Sequence, residues 1–131
     1  MINSAGIADR KPSAKPPYDL GQRTKQYALR IIRLYEALPE RGAGHTLGLQ
    51  ILRSGTSVGA HVAESAFAKS RADYTCKLDG AMQELQETRY WLAILSESGM
   101  VKPSRMKALE GESAELMAIC VSIVKKTRHT K

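Results

Sequence analysis

One carboxylate pair and one histidine–carboxylate pair are the residues best placed to do chemistry. Glu84 and Glu87 stand three apart, and so do His61 and Glu64. A di-metal carboxylate centre takes Glu-x-x-His from each of two helices and one further Glu from each of two others. Here the His61–Glu64 order is reversed, Glu84-x-x-Glu87 lacks a histidine, and only Glu36 and Glu115 stand near the core positions elsewhere. No metal is therefore expected. Arg53 is spaced to pair with Glu84 or Glu87, and Lys77, Glu84 and Trp91 recur at steps of seven beside an apolar stripe. Arg53, His61, Glu64, Glu84, Glu87 and Trp91 are accordingly expected to form a polar network that fixes helix register or a subunit contact. Other matches are thinner. Ser104-x-x-Lys107 and Ser122-x-x-Lys125 lack the further elements of a serine–lysine enzyme. Gly42, Gly44 and Gly48 lack the preceding strand of a dinucleotide site. His45 and His129 fall in a loop and a tail. Cys76 and Cys120 fall in mid-helix on or near packed faces, where thiols act as small apolar groups. No catalytic set assembles, so neither an enzyme nor a cofactor is expected.

Four segments must position these groups. The first carries Leu20, Thr24, Tyr27, Ile31, Leu34 and Leu38 at alternating steps of four and three, which keeps them on one helical stripe. The second carries Leu47, Ile51, Gly55, Val58, Val62 and Ala66, with Gln50, Ser54, Ser57, His61 and Glu64 as a polar stripe beside them. Each of Gly48, Gly55 and Gly59 costs about 1 kcal/mol relative to Ala in a helix, so close backbone approach is the expected return. Ser70 with Asp73 reads as the start of the third helix, followed by Tyr74, Leu78, Ala81, Leu85, Thr88, Leu92 and Leu95. The fourth carries Met106, Leu109, Ser113, Leu116, Cys120 and Ile123. The expected organisation is a mobile basic arm at 1–17, a bundle at 18–127 and a basic tail at 128–131. The helices are expected at 19–38, 46–68, 71–98 and 104–127. With short linkers and no strand signal, the fold class is all-α, an antiparallel up-down-up-down four-helix bundle.

The 131 residues hold 20 Lys and Arg against 13 Asp and Glu, a formal net charge of +7. In an up-down bundle the first helix start, the last helix end and the second connection share one end. There Arg10, Lys11, Lys15, Arg23, Lys25, Lys69, Arg71, Lys125, Lys126, Arg128 and Lys131 face only Asp9, Asp19 and Asp73; eleven cations less three acids is +8, which leaves the rest of the chain close to neutral. Such a pole favours phosphate backbones. Aromatic residues are only 5% of the chain, and Tyr27 and Tyr74 lie on core stripes, so binding through charge and shape is expected, with little sequence selectivity. No apolar run is long enough to cross a membrane, and the tail lacks the bulky apolar face of a membrane-surface helix. The start has no signal-peptide core and the two cysteines stand apart, so a cytoplasmic location is expected.

The run Leu49-Gln50-Ile51-Leu52-Arg53-Ser54-Gly55-Thr56-Ser57-Val58, continuing through Ala63-Glu64, resembles the signature of the 23S rRNA-intervening-sequence proteins. So do Ser70-Arg71-Ala72-Asp73-Tyr74, Lys77-Leu78 and Glu84-Leu85-Gln86-Glu87-Thr88-Arg89-Tyr90-Trp91-Leu92, the most specific stretch. The resemblance spans about Tyr18 to Val124 and departs at His61, Ser65 and Gln83, where the family commonly has Asn, Gly and Lys. It implies an antiparallel bundle assembled into a ring of five subunits. It also implies kinship with the accessory variability determinants of diversity-generating retroelements, which are basic pentamers associated with nucleic acid and a reverse transcriptase. The function expected is a non-enzymatic homo-oligomer that binds RNA or DNA, or a nucleic-acid–protein complex. Arg23, Lys25, Lys69, Arg71, Lys125, Lys126 and Arg128 would contact phosphates. The alternatives are a protein–protein scaffold and, more remotely, a di-metal carboxylate bundle.

Overall fold

A computed structural model describes residues 19–129 as four helices: α1 (Leu20–Ala37), α2 (Gly42–Ser65), α3 (Arg71–Glu97) and α4 (Pro103–His129). The expected arm at 1–17, with Asp9, Arg10, Lys11 and Lys15, lies outside the described residues, as does Lys131. The helix starts follow elementary capping chemistry. Asp19 Oδ1 accepts from the Gln22 N–H at 3.0 Å, which satisfies an amide that the helix itself cannot. Ser70 Oγ accepts from the Asp73 N–H at 3.0 Å, as the expected Ser70–Asp73 start requires, while Asp73 Oδ2 reaches one residue further back and accepts from the Lys69 N–H at 3.0 Å. Pro103 opens α4, where its missing N–H costs nothing.

The second helix is displaced from its expected 46–68. It begins at Gly42, whose φ of +71° turns the chain sharply enough to start the helix four residues early. It stops at Ser65, whose hydroxyl bonds its own chain at the Val62 carbonyl, 2.6 Å away, in competition with the helical ladder. At the end of α3, Gly99 takes a φ of +81°.

The apolar stripes meet in one core. Tyr27, Ile31, Ile51, Val58, Leu78, Leu85, Leu92, Leu95, Met106 and Leu116 are all sealed from solvent. Burying each such side chain stabilises the fold by roughly 1.5–3 kcal/mol. The glycines of α2 set the closeness of the α1–α2 contact. A Cβ on Gly55 would stand 2.7 Å from Ile31, one on Gly59 3.3 Å from the Thr24 carbonyl oxygen, and one on Gly48 3.1 Å from the Tyr35 ring. Residue numbers thus fall along α2 as they rise along α1. The α2–α3 contacts run the same way, from His61 over Gly80 to Ser54 beside Thr88.

Polar groups inside this core are matched rather than excluded. Tyr27 Oη lies 2.6 Å from Ser113 Oγ, joining α1 to α4. Thr88 Oγ1 lies 2.8 Å from both Ser54 Oγ and the Glu84 carbonyl oxygen. Ser54, on the polar stripe beside the apolar one, is wholly buried, because a small hydroxyl with a partner fits between two helices at little cost. Among the described residues no helix is long and apolar enough to cross a membrane.

Candidate functional site

Two groups of expected site residues come together, one along a helix seam and one at an end. The seam lies between α2 and α3. Arg53 reaches Glu84 Oε1 at 3.5 Å, Gln50 Oε1 at 3.2 Å and, in closer contact, Glu87 Oε2. Trp91 Nε1–H donates to the same Glu87 oxygen at 2.9 Å. His61 stands 3.9 Å from Glu84 Oε2 and 3.9 Å from Glu64 Oε1. Its imidazole rests on Gly80, where any Cβ would come within 2.8 Å of Nδ1, so the missing side chain in α3 makes room for it. All six residues expected to form a polar network share this seam within one chain. Glu84 and Glu87 are turned to Arg53 and Trp91, and among the described residues no three His, Cys, Asp or Glu side chains converge as metal ligands would.

The end group is less uniform than its sequence suggests. The Thr24–Gly59 and His61–Gly80 contacts bring the start of α1, the end of α2 and the start of α3 to one end. Arg128 at the end of α4 joins them through Asp79, at 2.9 Å. Two expected phosphate contacts are already engaged there. Arg23 donates two hydrogen bonds to the Glu112 carboxylate, at 2.7 and 3.1 Å, and a third to Glu115 at 2.8 Å. Its pKa is driven up chiefly by the Glu112 hydrogen bond, against an opposing cost of partial burial. Arg128 is held by Asp79. Five acids therefore lie among the seven described cations of this pole, and the pole is weaker than a count along the chain implies. Arg71 and Lys126 are exposed. Lys25, Lys69 and Lys125 are exposed too, and their side chains carry no ion pair among the described residues.

Beyond the basic pole, Arg30, Arg33, Lys102 and Arg105 gather at the other end, around a cavity between α1 and α4. Of the aromatic rings, Phe67, in the α2–α3 turn, is 85% exposed, and Tyr90, edge-on to Trp91, is 59% exposed. Phe67 was detectable, since it stands off the 51–55–58–62 stripe. One expectation is corrected, that both cysteines lie on or near packed faces. Cys76 is exposed, because it falls on the outer face of α3, whereas Cys120 is sealed in the core and burial pushes its thiol pKa up to about 11.

The geometry defines a four-helix all-α protein, braced along one seam by a charged network and carrying exposed cations at its ends. The chain belongs to the 23S rRNA-intervening sequence protein family, whose model matches residues 18–122. It is similar to a solved protein of unknown function from the S23 ribosomal protein family of Bacteroides thetaiotaomicron, at 35% identity and a TM-score of 0.77. That likeness covers 81% of this chain and 98% of the other. No curated protein matches the chain.

Proposed function

We propose that this protein is a non-enzymatic, up-down-up-down bundle that assembles with copies of itself, in a ring of five, and binds RNA or other nucleic acid through its end. One observation carries the binding reading. Lys25 of α1, Lys69 of the α2–α3 turn and Lys125 of α4 are exposed and carry no ion pair among the described residues, at an end they share with the exposed ring of Phe67. Free ammonium groups release counterions when they meet phosphates, and an exposed ring offers a face on which an unpaired base stacks. Buried Cys120 and the Glu84 and Glu87 carboxylates held by Arg53 leave little for catalysis, which supports a binding role.

Fluorescence anisotropy with a labelled single-stranded RNA of about 20 nucleotides tests the reading, with affinity falling roughly as a power of salt concentration. The combined K25E, K69E and K125E variant is expected to bind at least about tenfold more weakly. F67A is expected to weaken single strands by roughly 1–3 kcal/mol while sparing duplexes. Affinity that ignores both salt and the three lysines would remove the proposal. A scaffold role is favoured by a different observation, the exposure of Leu29, Ile32 and Leu49 on the α1–α2 pair. A partner captured equally well after deletion of residues 125–131, without RNA, would decide for it.

A further inference from the structure

At the end opposite the three lysines, the packing leaves a space of about 730 Å³ between the last turns of α1 and the first turns of α4. Its inner wall is apolar: Leu34, Leu38, Met106 and Leu109 line it, all at least half-buried and Met106 completely so. Arg30, Arg33, Lys102 and Arg105 also line it, and no lining residue is acidic. None of these four cations carries an ion pair among the described residues.

The space is built into the fold. α1 touches α4 over a shorter stretch than any other neighbouring pair of helices. The end of the bundle is nevertheless tightly shut. A Cβ on Gly44 would stand 2.7 Å from Pro39 and 3.2 Å from the Met100 sulfur, so the two connections and the start of α2 are wedged together. The Val101 N–H donates to the Leu95 carbonyl at 3.2 Å and pins the turn that forms one wall.

Four like charges with no ion pair among the described residues raise one another's free energy. The first turn of α4, where amide dipoles add positive potential, contains no acid to relieve them. An anion complements this arrangement. The apolar side chains that still meet solvent there, Leu34, Ala37, Met100 and Val101, call for an anion with an apolar body, since a sugar-phosphate backbone would satisfy the cations and leave them uncovered. The volume lies within the roughly 300–1,000 Å³ typical of small-molecule sites.

We infer that this cavity binds a small amphipathic anion, a carboxylate or phosphate monoester on an acyl or aryl body. The guanidinium groups of the rim hold the head group and the wall covers the body. The inference is independent of nucleic-acid binding at the other end.

Isothermal titration of the full chain with decyl phosphate below its micelle concentration, decanol and inorganic phosphate tests it. Decyl phosphate is expected to saturate one site per chain, with at least about tenfold preference over decanol and over inorganic phosphate. R33E/R105E, and the gentler R33Q/R105Q, are each expected to lower that affinity at least about tenfold, while K69E/K125E leaves it within about twofold. Circular dichroism melts confirm that each variant is folded. Absent binding, several equivalents bound per chain, a smaller preference, or full affinity in folded R33E/R105E would overturn the inference. So would displacement of decyl phosphate by single-stranded RNA through Arg33 and Arg105, which would make the rim a polyanion surface.

Discussion

Tyr27 shows how a single buried polar group sets a measurable property. Its ring is sealed in the core, its hydroxyl meets Ser113, and burial pushes its pKa up from 10 to about 12. Cys120 behaves alike, raised by burial from 9 to about 11. A folded pKa above the unfolded one means that the unfolded chain releases its proton first. Stability is therefore whole below about pH 9 and is lost as pH rises towards about 12. Urea unfolding across that range should show a falling midpoint, and Tyr27→Phe should flatten the upper part of the fall. At neutral pH the same substitution should cost only about 1 kcal/mol, because Ser113 Oγ keeps its 2.9 Å bond to the Leu109 carbonyl oxygen. A wild-type midpoint indifferent to alkaline pH would contradict this account.

Along an element, the same residue type has opposite meanings. Gly55 in α2 faces Ile31, where a methyl group would intrude to 2.7 Å, whereas the Cβ position of Gly111 in α4 is open. Gly111→Ala is expected to stabilise the protein by up to about 1 kcal/mol through helix propensity alone. Gly55→Ala is expected to destabilise it by roughly 1–3 kcal/mol despite the same gain, because α1 has to move. Thermal melts of the pair check both signs, and a stabilised Gly55→Ala variant would show that α1 and α2 are not in close contact. Each glycine interrupts its helix equally as a letter; the four-and-three spacing of Ile51, Gly55 and Val58 is what puts Gly55 on the packed side. That much was legible. The early start of α2 was not, since it depends on Gly42 adopting a positive φ that nothing in the neighbouring letters demands.

For the whole molecule, exposed apolar residues and unpaired charge both point outward. Leu29 and Ile32 on α1 and Leu49 on α2 remain exposed in the single chain of 14.4 kDa. Under the proposed assembly, light scattering should give a mass of about five chains. Ile32→Glu should reduce that mass to one chain while leaving the helical circular dichroism unchanged, since the side chain is already 36% exposed. A monomeric wild-type protein at micromolar concentration would remove the ring.

The four helices, their core stripes and the α2–α3 polar seam were readable from spacing, because helical periodicity is local and a stripe must be buried somewhere. Arg53 with Glu84 and Glu87 belongs to that readable part. Which charges would neutralise which was decided only in three dimensions. Arg23 meets Glu112 and Glu115 some ninety positions away, Arg128 meets Asp79, and Arg30, Arg33, Lys102 and Arg105 collect around a cavity with no acid among its described lining residues. Those pairings depend on how each helix is rotated and how far α4 stands from α1, quantities fixed by the packing of the core as a whole and written in no single segment of the chain.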